Sequence, residues 1–304
     1  MGDSNVCIVA VTATLLFSSI ITVFITEFST DLHIGTTQTI AASRRSDLKG
    51  KTPPYPDETL HHIHWFVQVS DIHLSKYYDR QRGPDLQRFC TNSIDIIQPE
   101  IVLVTGDLTD AKHANKLGST QYEEEWQEYH QILHNTGVTK KTVWLDVRGN
   151  HDGFNVPSLK SKENYFRKYS ERGRTDLKSY QYQHKTSDGV YTFIAVDAVP
   201  DPGPKRPFNF FGVLTKDELE ELEEYSVSSR SSNLTIWFGH YPMSTIGSPY
   251  PGVKHVFRSA AVYMCGHLHQ LGGLVPAMYT RHRTATWSWK WVTGRTTGYI
   301  EYLP

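Results

Sequence analysis

The chain reads as an α/β protein, and three observations predict that class. Short apolar runs alternate with stretches of helical periodicity from Trp65 onward. Five of these runs end at an acidic, amide or imidazole side chain, mostly behind a glycine. Hydrophobic residues make up 38% of the 304 and charged residues 21%, which supplies a core of useful size.

Strands are predicted at residues 66–69, 101–104, 143–147, 191–196, 234–238 and 260–264, all short and rich in β-branched or aromatic side chains. Between them, residues 86–97 put Leu86, Phe89, Cys90, Ile94 and Ile97 on one helical face, and residues 121–133 are also helical. Thr215, with Glu218 three residues later, opens a further helix with a capping box.

Ahead of this domain, residues 6–24 are apolar and uncharged. A spanning helix takes about 20 such residues, a signal-peptide core about 7–15. We therefore read residues 1–27 as a signal-anchor or transmembrane helix, 28–60 as a linker and 61–282 as the folded domain. The first basic cluster is Arg44 and Arg45, so charge orients the helix only weakly. The glycosylation sequon Asn233-Leu234-Thr235 points the domain to the lumenal or extracellular side. The expected protein is a single-pass membrane protein; the alternative is secretion after signal cleavage. A net charge of −1 gives no electrostatic case for nucleic acid. The three cysteines form no disulfide framework or zinc-finger spacing. Cys7 lies in the apolar run, while Cys90 and Cys265 read as buried thiols.

The chemistry is concentrated just past the strands. Asp71 and His73 follow the first, Gly106-Asp107 the second, and Gly149-Asn150-His151-Asp152 the third. Gly239-His240 and Gly266-His267-Leu268-His269 follow two later ones. Sites in α/β sheets form outside the carboxyl ends of strands, so five strand ends can deliver these groups to one place. The glycines let the chain turn sharply there. Carboxylate, imidazole and amide oxygen suit Mn, Fe or Zn, and Asp107 can bridge two ions with its two oxygens. One such residue after a strand is usually a turn residue; five motifs in order point to a metal site. His61, His62 and His64 lie in a polar stretch and read as solvated. Lys205 and Arg206 read as a solvated basic loop, with neutralisation of substrate phosphate as the alternative. Arg148 either contacts substrate or pairs with an acid, and Phe208, Phe210 and Phe211 read as packing.

The series D-x-H, G-D, G-N-H-D, G-H and G-H-x-H resembles that of the calcineurin-like metallophosphoesterases over residues 65–282. Within them, GDLTDAK, GNHDGFN, PGPKRPFNFFG, TIWFGH and CGHLHQLGGL resemble the transmembrane protein 62 family. The resemblance implies a sandwich of two mixed β-sheets flanked by helices, an anchor helix before it and membrane spans after it. It implies two metal ions, Mn, Fe or Zn. Asp71, His73, Asp107 and His269 would hold one; Asp107, Asn150, His240 and His267 would hold the other. It implies that His151 serves as general acid or phosphate stabiliser and that Asp152 orients it. The expected activity is hydrolysis of a phosphoester substrate by attack of metal-bound hydroxide. The purple acid phosphatase branch carries a Tyr where this chain has Asp110, so that branch is not matched. The alternative is a non-catalytic protein on the same fold that binds metal or a partner; the complete ligand set and His151 favour the enzyme.

After His282 the pattern changes. Trp287, Trp289 and Trp291 alternate with Ser288 and Lys290, followed by Thr-Gly-Arg-Thr-Thr-Gly. Residues 283–304 read as an atypical, out-of-frame tail that leaves a sheet edge unpaired; the alternative is a genuine short C-terminus. One allowed codon choice for residues 286–295 encodes, two nucleotides on, Leu-Glu-Leu-Glu-Val-Gly-Asp-Trp-Lys, an alternating strand and a turn. Sequencing the transcript across this junction is expected to reveal a change of frame near Arg283. An intact frame encoding the printed residues defeats the idea.

Overall fold

The computed structural model describes residues 64–174, 177–268, 289–290 and 297–301, all within the unit His61–Pro304. The expected anchor helix and linker, and His269, lie outside the described residues. Among the described residues no helix is long and apolar enough to cross a membrane.

Phe66–Val69 (β1), Ile101–Thr105 (β2) and Val143–Val147 (β3) form a sheet in the order β1-β2-β3, parallel throughout. Tyr180–Thr186 (β4) and Gly189–Val196 (β5) form a hairpin, and Gly212–Val213 (β6) pairs with Ile246–Gly247 (β8) in a short ladder. Leu234–Gly239 (β7), Val262–Cys265 (β9), Trp289–Lys290 (β10) and Thr297–Glu301 (β11) complete a second sheet, ordered β10-β11-β9-β7-β5-β4. There β5, β7 and β9 are parallel and the remaining pairs antiparallel. The expectation of two mixed sheets therefore holds for the second alone. The first is all parallel among the described residues because each of its connections crosses over through a helix.

The helix after β1, Arg82–Arg88 (α1), continues through a π turn at Phe89–Ser93 into Ile94–Ile97. It begins four residues before the predicted start, since Pro84 in a first turn forfeits no helical hydrogen bond. It ends at Gln98 with φ 49°, just before Pro99. Glu123–Thr136 (α2) stops at Gly137, whose φ of 63° suits glycine. Lys216–Ser228 (α3) carries the predicted capping box: Thr215 N–H donates to Glu218 Oε2 at 2.7 Å, and Glu218 N–H donates to Thr215 Oγ1.

Strand alternation sorts the core into three layers. Ile101, Leu103, Leu145 and Val147 from the first sheet meet Phe193, Ala195, Ile236, Phe238 and Met264 from the second. Val102, Val104 and Trp144 face the other way, onto Leu86, Cys90, Trp126 and Tyr129 of α1 and α2. Ile194, Val196, Trp237 and Tyr263 pack on Leu219 and Leu222 of α3. Cys90 and Cys265 are buried, as read, and burial pushes the Cys90 thiol up to about 12.

Three expectations are corrected. β4 was not predicted, although Tyr180, Tyr182 and His184 alternate with Gln181, Gln183 and Lys185 ahead of an Asp188-Gly189 turn. The backbone of β11 runs antiparallel along β9, with Tyr299 opposite Cys265, so that edge of β9 is paired. His64 is not solvated: its two ring nitrogens lie 2.8 Å from Glu100 and 3.3 Å from Asp188.

Phe238 is fully buried between the sheets. Phe238→Ala is expected to cost about 3–5 kcal/mol in urea unfolding. Phe208→Ala, at an 82% exposed position, should stay within about 0.5 kcal/mol of the parent. Equal losses in the two variants would refute the assigned layering.

Candidate metal centre

The strand ends do not continue as extended chain. Asp71, His73, Asp107 and His267 have φ of 55°, 50°, 52° and 72°, in the left-handed region that such residues seldom adopt. Asp71 N–H donates to the Gly106 carbonyl at 3.0 Å and His73 N–H to the Asp107 carbonyl at 2.8 Å, which lays the first loop along the second. Gly106 turns with φ 85°. Gly149 serves a different need: a Cβ there would stand 2.2 Å from Asp107 Oδ1. The glycine is required for close approach of the third loop to the second.

Asp107, 2% exposed, lies at the middle of the group. Its Oδ2 is 3.4 Å from His240 Nε2, 3.5 Å from His73 Nε2 and 3.9 Å from His151 Nε2. His73 Nε2 is also 3.8 Å from Asp71 Oδ1. Asn150 Oδ1 lies 2.9 Å from His240 Nε2 and 2.9 Å from His267 Nδ1. His267 N–H reaches both Asp71 oxygens at 3.2 Å. Six of the seven expected ligands thus meet, and the seventh, His269, lies outside the described residues.

The donor chemistry fits a cation. His240 Nδ1 donates to the Thr105 carbonyl and His267 Nε2 to the Phe210 carbonyl, both at 2.9 Å. A neutral imidazole has one N–H, so the second nitrogen of each ring presents a lone pair. Those two nitrogens are 3.1 Å apart, and both face Asn150 Oδ1. Acceptors turned on one another in this way need a metal or an added proton between them. Burial opposes a proton on His240, but the Asp107 carboxylate raises its pKa to about 9. Burial and the His240 charge then push His267 down to about 4. Burial alone would raise Asp107, yet His240, His151 and His73 hold it well below the usual carboxylate range. Carboxylate, amide oxygen and imidazole together are a donor set for a divalent or trivalent metal ion.

Asp152 joins two loops of the site. Its oxygens accept from Leu108 N–H at 3.1 Å, Thr109 N–H at 3.0 Å, the Thr109 hydroxyl at 3.2 Å and Gly149 N–H at 2.8 Å. It therefore ties the Asp107 loop to the Asn150 loop. Burial and the Asp107 charge push its carboxyl to about 7, against the N–H donors. The His151 ring meets the Asp110 carbonyl, 2.6 Å from Nδ1. Asp110, three positions after Asp107, belongs to the site although no ligand motif includes it. Its carboxylate also lies 3.5 Å from His73 Nδ1, accepts from Ser75 at 3.1 Å and pairs with Lys112 at 2.6 Å. Arg148 resolves as an ion pair with Asp197 at 2.6 Å, both nearly fully buried. Arg206 bonds the Lys116 carbonyl and Lys205 is exposed. Phe208, Phe210 and Phe211 are exposed rather than packed, and the Phe210 ring stands 5.4 Å from His267.

Asp152→Asn keeps the shape but replaces an acceptor of four donors with an amide. A loss of about 1–3 kcal/mol in urea unfolding is expected, together with weaker metal retention against a chelator. An unchanged unfolding midpoint would show that the two loops are not held by this carboxylate.

Residues 64–271 match the calcineurin-like phosphoesterase family. The chain is 54% identical over 233 residues to transmembrane protein 62 of Mus musculus, which covers 77% of this chain and 36% of the mouse protein. It is 33% identical over 222 residues to an Arabidopsis thaliana protein named as a metallophosphoesterase, covering 69% of this chain and 30% of that one. The chain thus spans about a third of the length of these relatives. A dimetal phosphatase from Danio rerio is similar at 16% identity and a TM-score of 0.42, over 59% of this chain and 69% of that one. With its motifs in order and the match running through most of its length, the chain belongs to the calcineurin-like phosphoesterase family.

Proposed function

We propose that the chain is a membrane-anchored phosphoesterase with a binuclear metal centre. The observation that carries this reading is the ring of acceptor atoms turned on one another around Asp107, supplied by strand ends of both sheets. In this reading Asp71, His73, Asp107 and His269 hold one ion, and Asp107, Asn150, His240 and His267 hold the other. When bound, the ions would supply Lewis acidity toward phosphoryl oxygens and a water of lowered pKa.

The chain's own groups complete the chemistry. His151 is buried, its Nδ1 is engaged by the Asp110 carbonyl, and its Nε2 faces the centre 3.9 Å from Asp107 Oδ2. In the neutral ring Nε2 therefore presents a lone pair to the centre, and only the protonated ring carries there the proton that a leaving oxygen would take. Burial lowers its pKa below the ordinary imidazole value, which disfavours the protonated ring and makes it a stronger acid where it forms. Asp152 holds the two loops that carry Asp107 and Asn150 in register. The apolar run at residues 6–24 supplies the anchor. Asn233 is exposed just ahead of β7, where a lumenal or extracellular domain could carry a glycan.

The test is turnover of the full chain on phosphomonoesters, phosphodiesters and pyrophosphates with Mn, Fe or Zn. Metal-dependent hydrolysis is expected, abolished by Asp107→Asn and reduced about 10²–10⁴-fold in kcat by His151→Asn. Metal-loaded, folded protein inert on every class would leave a binding role in place of catalysis.

A further inference from the structure

A second cluster lies at the other end of the sandwich. The carboxyl ends of β1 and β2 lead to Asp71 and Asp107, whereas His64 and Glu100 stand just ahead of the amino ends of the same strands. His184 belongs to β4 and Asp188 to the β4–β5 turn. Two residues attached to the first sheet therefore meet two from the second. His64 Nδ1 is 2.8 Å from Glu100 Oε1, His184 Nε2 meets Glu100 Oε2, and His64 Nε2 is 3.3 Å from Asp188 Oδ2. One ligand atom each from His64, Glu100 and His184 lie within 4.8 Å of one another. The imidazoles are sheltered, with 21% and 19% of their side chains exposed.

Counting protons shows what the cluster lacks. A neutral imidazole carries one N–H. His64 turns both nitrogens on carboxylates, so its neutral form sets a lone pair against an anionic oxygen. A proton or a metal ion on that nitrogen resolves the conflict.

We propose that His64, Glu100 and His184 form a separate site for one divalent ion of the zinc class, with Asp188 positioning His64. Two imidazoles and a carboxylate are a set that zinc accepts, with water completing the shell. Asp188 accepts the Nε2 proton of His64, which fixes the tautomer and leaves Nδ1 for the metal. Glu100 and His184 also line an open groove of about 600 Å³, which leaves room beside them for that water. The ion would clasp the starts of β1 and β2 to the β4–β5 hairpin, joining the sheets at the end away from Asp107. This site does not depend on the phosphoesterase reading.

The experiment is zinc analysis and zinc-dependent melting of the full chain. Wild type is expected to retain one more zinc per chain than His64→Ala/His184→Ala, and only wild type should gain melting temperature from zinc at this site. Asp107→Asn should keep that zinc and its thermal response. Asp188→Asn should weaken it about 10–100-fold. Glu100→Gln preserves size and should also lose it, which covers the case in which the double variant fails to fold. Folded His64→Ala/His184→Ala or Glu100→Gln protein with the wild-type zinc count and thermal response would overturn the proposal and leave a protonated imidazole–carboxylate cluster.

Discussion

The structure is organised around the burial of one carboxylate. Asp107 is 2% exposed, and an ion taken out of water at such a place costs several kcal/mol unless it is paired and hydrogen-bonded. The compensation comes from His73, His151 and His240 around Oδ2, and from the His151 N–H at 2.9 Å on Oδ1. These partners come from strand ends in both sheets. Closing them around one group requires loops that leave their strands abruptly, and the left-handed φ values at Asp71, His73, Asp107 and His267 are the strain that results.

The strain is tolerable because the surrounding scaffold is over-determined. The inter-sheet layer is apolar and closely packed, and Gln68 bridges the sheets with its side-chain N–H groups on Thr105 Oγ1 and the Cys265 carbonyl, both at 3.0 Å. Asp152 gathers backbone N–H groups from two loops onto one carboxylate. Arg148 and Asp197 add a buried ion pair beside them. Losing one partner of such a pair is costlier than the pair is stabilising, so these groups constrain the site more than they strengthen the fold.

Both ends of the sandwich place imidazoles against carboxylates, but in different surroundings. Around Asp107 the groups are buried and held by backbone carbonyls at Thr105, Asp110 and Phe210. Around Glu100 they are half-buried and open to a groove. The first arrangement favours preorganised chemistry away from water; the second suits a tie between the sheets.

The sequence alone determined the α/β class, most strand positions, the cap at Thr215 and the candidate ligands, because each depends on local period or on residues next to a strand end. It also identified the buried thiols, since Cys90 and Cys265 lie in apolar patterns. Only the tertiary structure decided which groups touch. Asp152 binds backbone 43 and 44 residues away, which its place beside His151 in the chain does not reveal. Asp110 gains its place from folding beside His73, and His64 is drawn out of solvent by Glu100 and Asp188, 36 and 124 residues distant. β4 was missed because its half-exposed, polar alternation is weak until β5 pairs with it. Periodicity along a chain records burial of a face; it carries no record of which distant side chain will be opposite.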